Sequence, residues 1–222
     1  FKVTRVGQLV AQEASRKLRF SVSQTMRIAQ GLYERGLITY MRTDSTNLSD
    51  LALDNSKKFI EENYGESYSK TRQYKTHSKG AQEAHEAIRP TYIDNVEIDG
   101  TPQEQRLYRL IWKRTIASQM ADARILKTDI KIASDKKFAV QANQVKFDGF
   151  LKVYLEGTDD QQDEEEVILP ELHEGDVMKP ISFASDCKFT TPPARYSEAT
   201  LVKKLEELGI GRPATYAQTI TT

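Results

Sequence analysis

The chain has 222 residues, enough to bury a hydrophobic core as one large domain or two smaller ones. Hydrophobic residues make up 38% and charged residues 29%, as in an ordinary soluble protein, and no apolar run approaches the ~20 residues of a membrane helix. The formal net charge is zero, so charge alone does not indicate a nucleic-acid partner. Seven acidic residues between Glu156 and Glu166 predict a solvated loop and leave the rest net positive.

The single cysteine, Cys187, excludes an internal disulfide framework and a zinc ribbon built from this segment alone. A reducing, cytoplasmic setting is therefore expected. The chain begins at Phe1 without a signal-peptide pattern and stops in what reads as the middle of a helix. We therefore expect an internal fragment of a longer protein.

The first third of the chain predicts helices. Ser23 is placed to cap a helix that ends at Gly36, and another helix is predicted from Ser49 to Glu62, with Gly65 just after it. Between them, residues 37–40 are apolar and β-branched, which predicts a short buried strand. The apolar positions at helical spacing before Gly36 are Val6, Leu9, Val10, Ala14, Ile28, Ala29 and Leu32.

The middle of the chain predicts a loop and two further helices. Residues 63–80 lack periodicity, and a short helix is predicted at 81–88, because Pro90 disfavours helical geometry in the residue before it. Thr101, Pro102 and Glu104 form a capping-box pattern that opens a helix reaching about Arg124. Its apolar face is Leu107, Leu110, Ile111, Ala117 and Met120.

The hydrophobic period changes from helical to two near residue 126, which predicts a β-rich segment with a hairpin turn at 134–136. A second boundary lies near residues 190–193. After it, Ser197 caps a predicted helix through Leu208 that ends at Gly209, and residues 212–213 open another. The alternating residues are Ile130, Ile132, Phe138, Val140, Val145, Phe147, Leu151, Val153 and Leu155.

If the strand at 37–40 continues, Tyr40, Arg42 and Asp44 project from one face. A phenol with an ordinary pKa near ~10 is a poor nucleophile at neutral pH. A neighbouring guanidinium favours the phenolate and neutralises charge on a phosphoryl group under attack. The pattern is therefore compatible with a nucleophilic tyrosine. The chain has 10 tyrosines, and most tyrosines at strand ends only pack, so a packing role stays open at this stage.

In the predicted helix at 81–88, His85 and Arg89 lie four residues apart and form a phosphate-facing pair. An imidazole can donate a hydrogen bond to a phosphate oxygen or exchange a proton with an oxygen leaving group. A metal site is not expected, because His77 and His173 have no helical spacing to His85. A surface helix with a structural histidine is the open alternative.

Two helix starts near the end of the chain each combine an arginine, a hydroxyl residue and an aromatic ring. Free backbone N–H groups and the helix dipole make such ends suited to phosphate, and tyrosine rings can stack on bases of a single strand. Two ordinary helices joined by a glycine turn are the alternative. The candidate DNA-binding residues are Arg195, Ser197, Thr200, Arg212 and Tyr216, together with Arg89.

Three stretches in order, GLITYMRTDST, AQEAHEAIRPT and PPARYSEATLVKKLEELGIGRPATY, resemble the hallmark motifs of type IA DNA topoisomerases and lie within residues 31–216. Met41 and the residues at 86–90 look more like bacterial topoisomerase I than topoisomerase III. The resemblance implies an α+β fold. Residues 1–125 would form a mainly helical gate domain with the tyrosine, 126–188 a β-rich arch segment, and 189–222 the start of a helical domain that binds single-stranded DNA.

The resemblance also implies chemistry. Tyr40 would attack a phosphodiester of a single-stranded segment in negatively supercoiled DNA, hold the 5′ phosphate as a phosphotyrosine and later reseal the break without a nucleotide cofactor. Arg42 would stabilise the transferring phosphoryl group, and Asp44 would orient His85 toward the phosphate. Glu34 would help to arrange the site, while Arg195 and Arg212 would hold the strand. A cytoplasmic, nucleoid-associated enzyme without membrane contact is implied.

The family's Mg²⁺ site lies in a TOPRIM domain with an Asp-x-Asp pair, and this sequence contains no Asp-x-Asp. We therefore expect Mg²⁺ to be bound only in a full-length enzyme, and this chain alone to be inactive.

Two other classes of function explain part of the sequence. A non-enzymatic DNA-binding module would explain the arginines but not Tyr40, Arg42 and His85. A tyrosine recombinase should carry its nucleophile near the C-terminus, whereas Tyr40 is early.

Overall fold

The structure is a computed structural model that describes residues 10–43, 45–74, 85–133, 138–154, 172–182, 184–187, 189–211 and 215–221. The described residues form two compact units. The first lies within 1–124, 147–161 and 196–222, and the second within 125–146 and 162–195. Among the described residues, no helix has the length and apolar character that a membrane crossing requires. The predicted segments 1–125, 126–188 and 189–222 are functional assignments, and they stay a prediction.

The elements follow one another in a mixed α and β order, with a two-stranded antiparallel sheet. Two short 3-10 helices, Glu66–Tyr68 and Gly149–Lys152, and a π-helix, Ala14–Leu18, complete the set. The coarse α+β prediction is therefore confirmed. The helices and strands are α1 Val10–Glu13, α2 Val22–Glu34, α3 Asp50–Tyr64, α4 Pro102–Gln119, β1 Arg124–Ile132, β2 Phe138–Phe147, α5 Glu198–Glu207 and α6 Tyr216–Thr221.

Helix α4 supplies the centre of the main core. The predicted capping box is present, because Thr101 Oγ1 accepts from the backbone N–H of Glu104 and the Glu104 carboxylate accepts from that of Thr101. The hydrogen bond from the Thr101 backbone lowers the pKa of Glu104. All five residues of the predicted apolar face are buried. The helix ends at Gln119 rather than near Arg124, where Arg72 donates to the carbonyls of Ser118 and Met120.

Helix α2 carries the chain to the candidate site. Its cap is Ser21, whose Oγ accepts from the Gln24 N–H at 3.1 Å, so the predicted cap at Ser23 is wrong by half a turn. Its predicted end at Gly36 is confirmed. Gly36 has φ +69° and donates to the carbonyl of Tyr33 at 2.8 Å, while the Leu37 N–H donates to that of Leu32 at 3.0 Å. This is a Schellman cap, and it requires the left-handed conformation that glycine adopts without strain.

The ends of α3 and α5 also follow the sequence predictions. Ser49 caps α3, and Gly65 with φ +98° ends it after Tyr64, two residues beyond the predicted Glu62. Ser197 caps α5, and a second Schellman cap ends it. The N–H of Ile210 donates to the Leu205 carbonyl at 2.8 Å, and that of Gly209 to the Glu206 carbonyl at 3.0 Å.

A buried ion cluster, consisting of Glu13, Arg114 and Tyr154, joins three distant parts of the first unit. Glu13 is 0% and Arg114 1% exposed. The Tyr154 hydroxyl donates to Glu13, Arg114 Nη1 lies 3.1 Å from the Tyr154 hydroxyl, and the same Nη1 lies 3.7 Å from the Glu13 carboxylate. Arg16 and Lys17 also pair with Glu13. A buried carboxylate is stable only with such partners, so the cluster holds α1, α4 and the segment after β2 together.

Three predicted elements are corrected. Residues 37–40 form no strand and make only an isolated bridge, between Ile38 and Pro90. Residues 85–88 are not helical, because their backbone bonds go to other segments, such as Ala87 N–H to the Asn47 carbonyl at 2.7 Å. In the predicted β-rich segment the strands end at Phe147, Leu151 lies in a 3-10 helix, and the described residues from 172 to 187 contain no strand. The predicted turn at 134–136 and the acidic loop lie outside the described residues.

Candidate active site around Tyr40

Two distant segments meet beside α2. The Thr39 N–H donates to the Arg89 carbonyl at 2.9 Å, and the Thr39 hydroxyl donates to the Ala87 carbonyl at 2.7 Å. The same hydroxyl accepts from the Arg89 N–H at 2.9 Å. Because one side chain serves two backbone groups of the opposite segment, Thr39 fixes residues 37–40 against 87–89. Neither periodicity nor a motif pointed to this role of Thr39.

Tyr40 and His85 are neighbours in this arrangement. Their ring centroids lie 5.3 Å apart at an interplanar angle of 61°, an edge-to-face contact. Tyr40 is half-buried against the main core. His85 Nδ1 is buried without a hydrogen-bond partner, and the Tyr40 hydroxyl has none among the described residues. The structure therefore brings together the predicted phenol and imidazole, and leaves their polar atoms free.

Arg42 and Glu34 make no hydrogen bond, ion pair or ring contact with Tyr40 or His85 in the part of the chain that the structure describes. Arg42 is exposed between the buried Met41 and Thr43, and it forms no ion pair with any described residue. Asp44 lies outside the described residues. Glu34, the last residue of α2, is exposed, and its carboxylate accepts from the Gln30 side chain at 2.6 Å. The predicted alignment of Tyr40, Arg42 and Asp44 on a strand face is wrong in its premise, since no strand forms.

Arg89 has structural partners. Its guanidinium donates to the Glu86 carboxylate at 2.6 Å and to the Pro90 carbonyl at 2.9 Å, and it is not on a helix face with His85. Glu86 also accepts from the Ser49 N–H at the start of α3, at 2.6 Å. Burial raises the pKa of Glu86, but hydrogen bonds from Ser49 and Arg89 outweigh it and lower the pKa overall. The predicted His85–Arg89 helical pair is therefore wrong.

The candidate DNA-binding residues near the end of the chain are not equally accessible. Ser197 and Thr200 bond to each other in the capping box of α5. Arg195 is exposed in the second unit, and Arg212 lies outside the described residues. Tyr216 is 6% exposed and packs with Val22 and Val202. A base-stacking ring must present its face to solvent, and the Tyr216 ring does not.

Glu198 was not recognised in the sequence as a site residue. Its carboxylate accepts from the Val22 N–H at 2.9 Å, at the first residue of α2. The Gln12 side chain on α1 donates a hydrogen bond to the Glu206 carboxylate on α5 at 3.0 Å. The start of α5 is thereby tied to the helix that leads to Tyr40. An acidic residue in the first turn of a helix normally indicates only a favourable dipole interaction, so no sequence pattern predicts this contact.

The chain is similar to known proteins over most of its length. A family model described as DNA topoisomerase matches residues 7–222. The chain belongs to this DNA topoisomerase family, and the resemblance to bacterial type IA enzymes is confirmed.

Similar proteins include DNA topoisomerase 1 of Rickettsia bellii, 50% identical over 93% of this chain and 28% of the relative. DNA topoisomerase 1 of Mycobacterium leprae is 49% identical over 95% of this chain and 24% of the relative. The solved structure of full-length topoisomerase I from Thermotoga maritima has a TM-score of 0.78 and 36% identity, and the match covers 100% of this chain and 36% of that one. This chain thus spans about a quarter of the length of the curated relatives.

Proposed function

We propose that this chain carries the strand-cleaving tyrosine of a type IA topoisomerase that relaxes negatively supercoiled DNA through a transient single-strand break. The observation that carries the proposal is the contact between Tyr40 and His85, with ring centroids 5.3 Å apart and His85 Nδ1 buried without a partner. A buried polar atom without a partner costs free energy, so it calls for an explanation. A DNA phosphate oxygen bonded to the imidazole is the one that we propose.

In the proposed reaction the phenol oxygen of Tyr40 bonds to the phosphorus and the bond from phosphorus to the 3′ oxygen breaks. The 5′ phosphate stays on Tyr40, the phenol gives up its proton, and the leaving 3′ oxygen takes one up. His85 is close enough to donate a hydrogen bond to the phosphate or to exchange one of these protons. The exposed guanidinium of Arg42 stabilises the phosphoryl charge. One phosphodiester replaces another, so resealing needs no nucleotide.

Mg²⁺ is implied by the family resemblance rather than by this chain. Within the described residues, no three His, Cys, Asp or Glu side chains come together as a metal site would require. The described residues therefore do not form such a site, and the proposed reaction has no step that passes through a metal. We propose that the metal ligands belong to a TOPRIM domain in a longer chain, and that this chain alone relaxes no DNA.

The remaining assignments belong to the same proposal. Residues 1–125 are the gate domain, 126–188 contribute to the arch, and 189–222 begin the domain that holds the single strand. Among the DNA-binding candidates, exposed Arg195 supports the proposal better than Arg89, which is paired with Glu86. Ser197, Thr200, Arg212, Asp44 and Glu34 keep their proposed roles, whereas Tyr216 does not, because its ring is buried. The proposed setting is the cytoplasm, on the nucleoid.

Covalent trapping tests the proposal. The full-length protein that carries this chain is incubated with a 3′-labelled single strand and Mg²⁺ and then denatured. The label should migrate with the protein, since the downstream piece is held through its 5′ phosphate. Tyr40→Phe should abolish the adduct, and Tyr92→Phe, at an exposed tyrosine, should retain it. An adduct that persists in Tyr40→Phe contradicts the proposal, and binding without any adduct favours a non-enzymatic DNA-binding module.

A further inference from the structure

Tyr33 is an exposed aromatic residue that contacts the candidate nucleophile. Its ring centroid lies 5.3 Å from that of Tyr40 at an interplanar angle of 68°. Tyr33 is 40% exposed, whereas the preceding residue, Leu32, is 0% exposed in the core. Its hydroxyl forms no hydrogen bond with any described residue. The ring therefore presents apolar surface and a free polar tip to solvent, immediately beside Tyr40.

The backbone beneath Tyr33 is held firmly. Its carbonyl accepts from Gly36 in the Schellman cap of α2 at 2.8 Å. Arg35, two residues on, donates to the Glu104 carboxylate at 3.2 Å and to the Asp99 carbonyl at 2.6 Å. An aromatic ring on a fixed helix end loses little conformational freedom when a second ring stacks on it. The same cap turns the chain toward Tyr40, so the end of α2 positions both rings.

We infer that Tyr33 is a stacking site for a nucleobase of single-stranded DNA, in the nucleotide next to the phosphate that Tyr40 attacks. This inference rests on the proposed function. An aromatic face accepts any of the four bases, because each has a π-face, so the site anchors the strand without reading its sequence. The free hydroxyl adds one hydrogen bond to the backbone or the sugar. Stacking at Tyr33 holds the adjacent phosphate in reach of Tyr40 and His85.

A purely structural role for Tyr33 makes a different prediction. If the ring only packed against Tyr40, its loss would weaken all strands equally, with or without a base at the neighbouring position. If the ring binds a base, its loss matters only when that base is present. A double-mutant cycle between protein and DNA therefore separates the two roles.

The test uses the full-length protein that carries this chain with Tyr40→Phe, so that binding is measured without cleavage. The cleavage position is first mapped from the adduct of the unmodified enzyme. Single strands that are intact, or abasic at one position on either side of that phosphate, are then titrated by fluorescence anisotropy. Tyr33→Leu should weaken binding of the intact strand roughly five- to hundredfold. It should leave binding of one of the abasic strands unchanged, and Tyr33→Phe should retain affinity.

The matched control is Tyr92→Leu, at a tyrosine that is exposed but makes no ring contact with Tyr40. It should leave the binding of every strand unchanged. Equal losses on intact and abasic strands, or no loss in Tyr33→Leu, overturn the stacking site. The proposed function is decided separately, by whether Tyr40→Phe abolishes the covalent adduct in the trapping assay.

Discussion

The buried ion cluster surrounds its carboxylate with partners, whereas the Tyr40 site leaves its phenol and imidazole without hydrogen bonds to the described residues. In the cluster, the Glu13 carboxylate is shared by Tyr154, Arg16, Lys17 and Arg114. Burial raises the pKa of the Tyr154 hydroxyl and outweighs the positive charge of Arg114, which lowers it. This phenol therefore stays a hydrogen-bond donor. At the Tyr40 site, the phenol and the imidazole form no hydrogen bond with any described residue.

This difference indicates that the ion cluster stabilises the fold and that the Tyr40 site can bind a ligand. Polar groups that the protein satisfies internally have no capacity left for a substrate, whereas a buried unpaired atom is an unmet cost that a bound phosphate removes. Substitutions in the two regions should therefore separate stability from activity.

Removing a charge from the cluster should cost most. Arg114→Ala leaves the Glu13 carboxylate buried with a major partner lost, and we expect the free energy of unfolding to fall by about 3–5 kcal/mol. Urea unfolding of the purified chain, followed by circular dichroism, measures it. Lys58→Ala, which breaks the exposed pair with Glu62, should cost less than about 1 kcal/mol. Similar losses in both variants would contradict the role given to the cluster.

Thr39 shares a property with each region. It lies at the Tyr40 site, and its hydroxyl forms hydrogen bonds within the protein, as the groups of the ion cluster do. Thr39→Val keeps the shape but leaves the Ala87 carbonyl and the Arg89 N–H without this partner, so unfolding should become easier by about 1–3 kcal/mol. Thr39→Ser, which keeps the hydroxyl, should retain most of the stability. Adduct formation by the full-length protein should fall in the valine variant. A valine variant as stable as the serine variant would refute this.

The stability of the folded chain should depend on pH through Glu86, which contacts Arg89 and Ser49 near the Tyr40 site. Its folded pKa is lowered, so its stabilising effect is present above the unfolded value near ~4.3 and is lost as the pH falls through the folded value. Between pH 5 and about 3 the parent chain should lose more stability than Glu86→Gln, by no more than about 1 kcal/mol after solvent screening. Melting temperatures across this range test it, with Glu62→Gln as the control. Parallel curves for the parent and Glu86→Gln would argue against the contribution.

His85 should show the opposite behaviour from Arg114. His85→Leu removes a buried unpaired nitrogen, which favours folding, and an edge-to-face contact with Tyr40, which disfavours it, so the free energy of unfolding should change by no more than about 1 kcal/mol. Adduct formation by the full-length protein should nevertheless fall by about 10²–10⁴-fold, the usual range for a lost proton-transfer group. Unfolding measured beside the trapping assay gives both numbers. A large loss of stability with unchanged adduct yield would assign His85 to the fold instead.

Local chemistry in the sequence determined the helix ends. Thr101 and Glu104 define the start of α4, and Gly36 and Gly209 define the ends of α2 and α5, because a cap satisfies groups within a few residues of itself. The family resemblance predicts that Tyr40, Arg42 and His85 meet around one phosphate. The rings of Tyr40 and His85 do meet, and the roles of all three residues stay a prediction.

Tertiary structure alone decided how the site is assembled. The sequence predicts a strand at 37–40 and a helix at 81–88, yet the Thr39 N–H donates to the Arg89 carbonyl and the Ala87 N–H donates to the Asn47 carbonyl. The sequence predicts Tyr216 as a stacking ring, but it is buried, whereas no sequence pattern distinguishes Tyr33, which is exposed beside Tyr40. The physical reason is that side-chain exposure and long-range hydrogen bonds depend on which segments pack together. Hydrophobic periodicity and secondary-structure propensity do not specify which distant segments pack together.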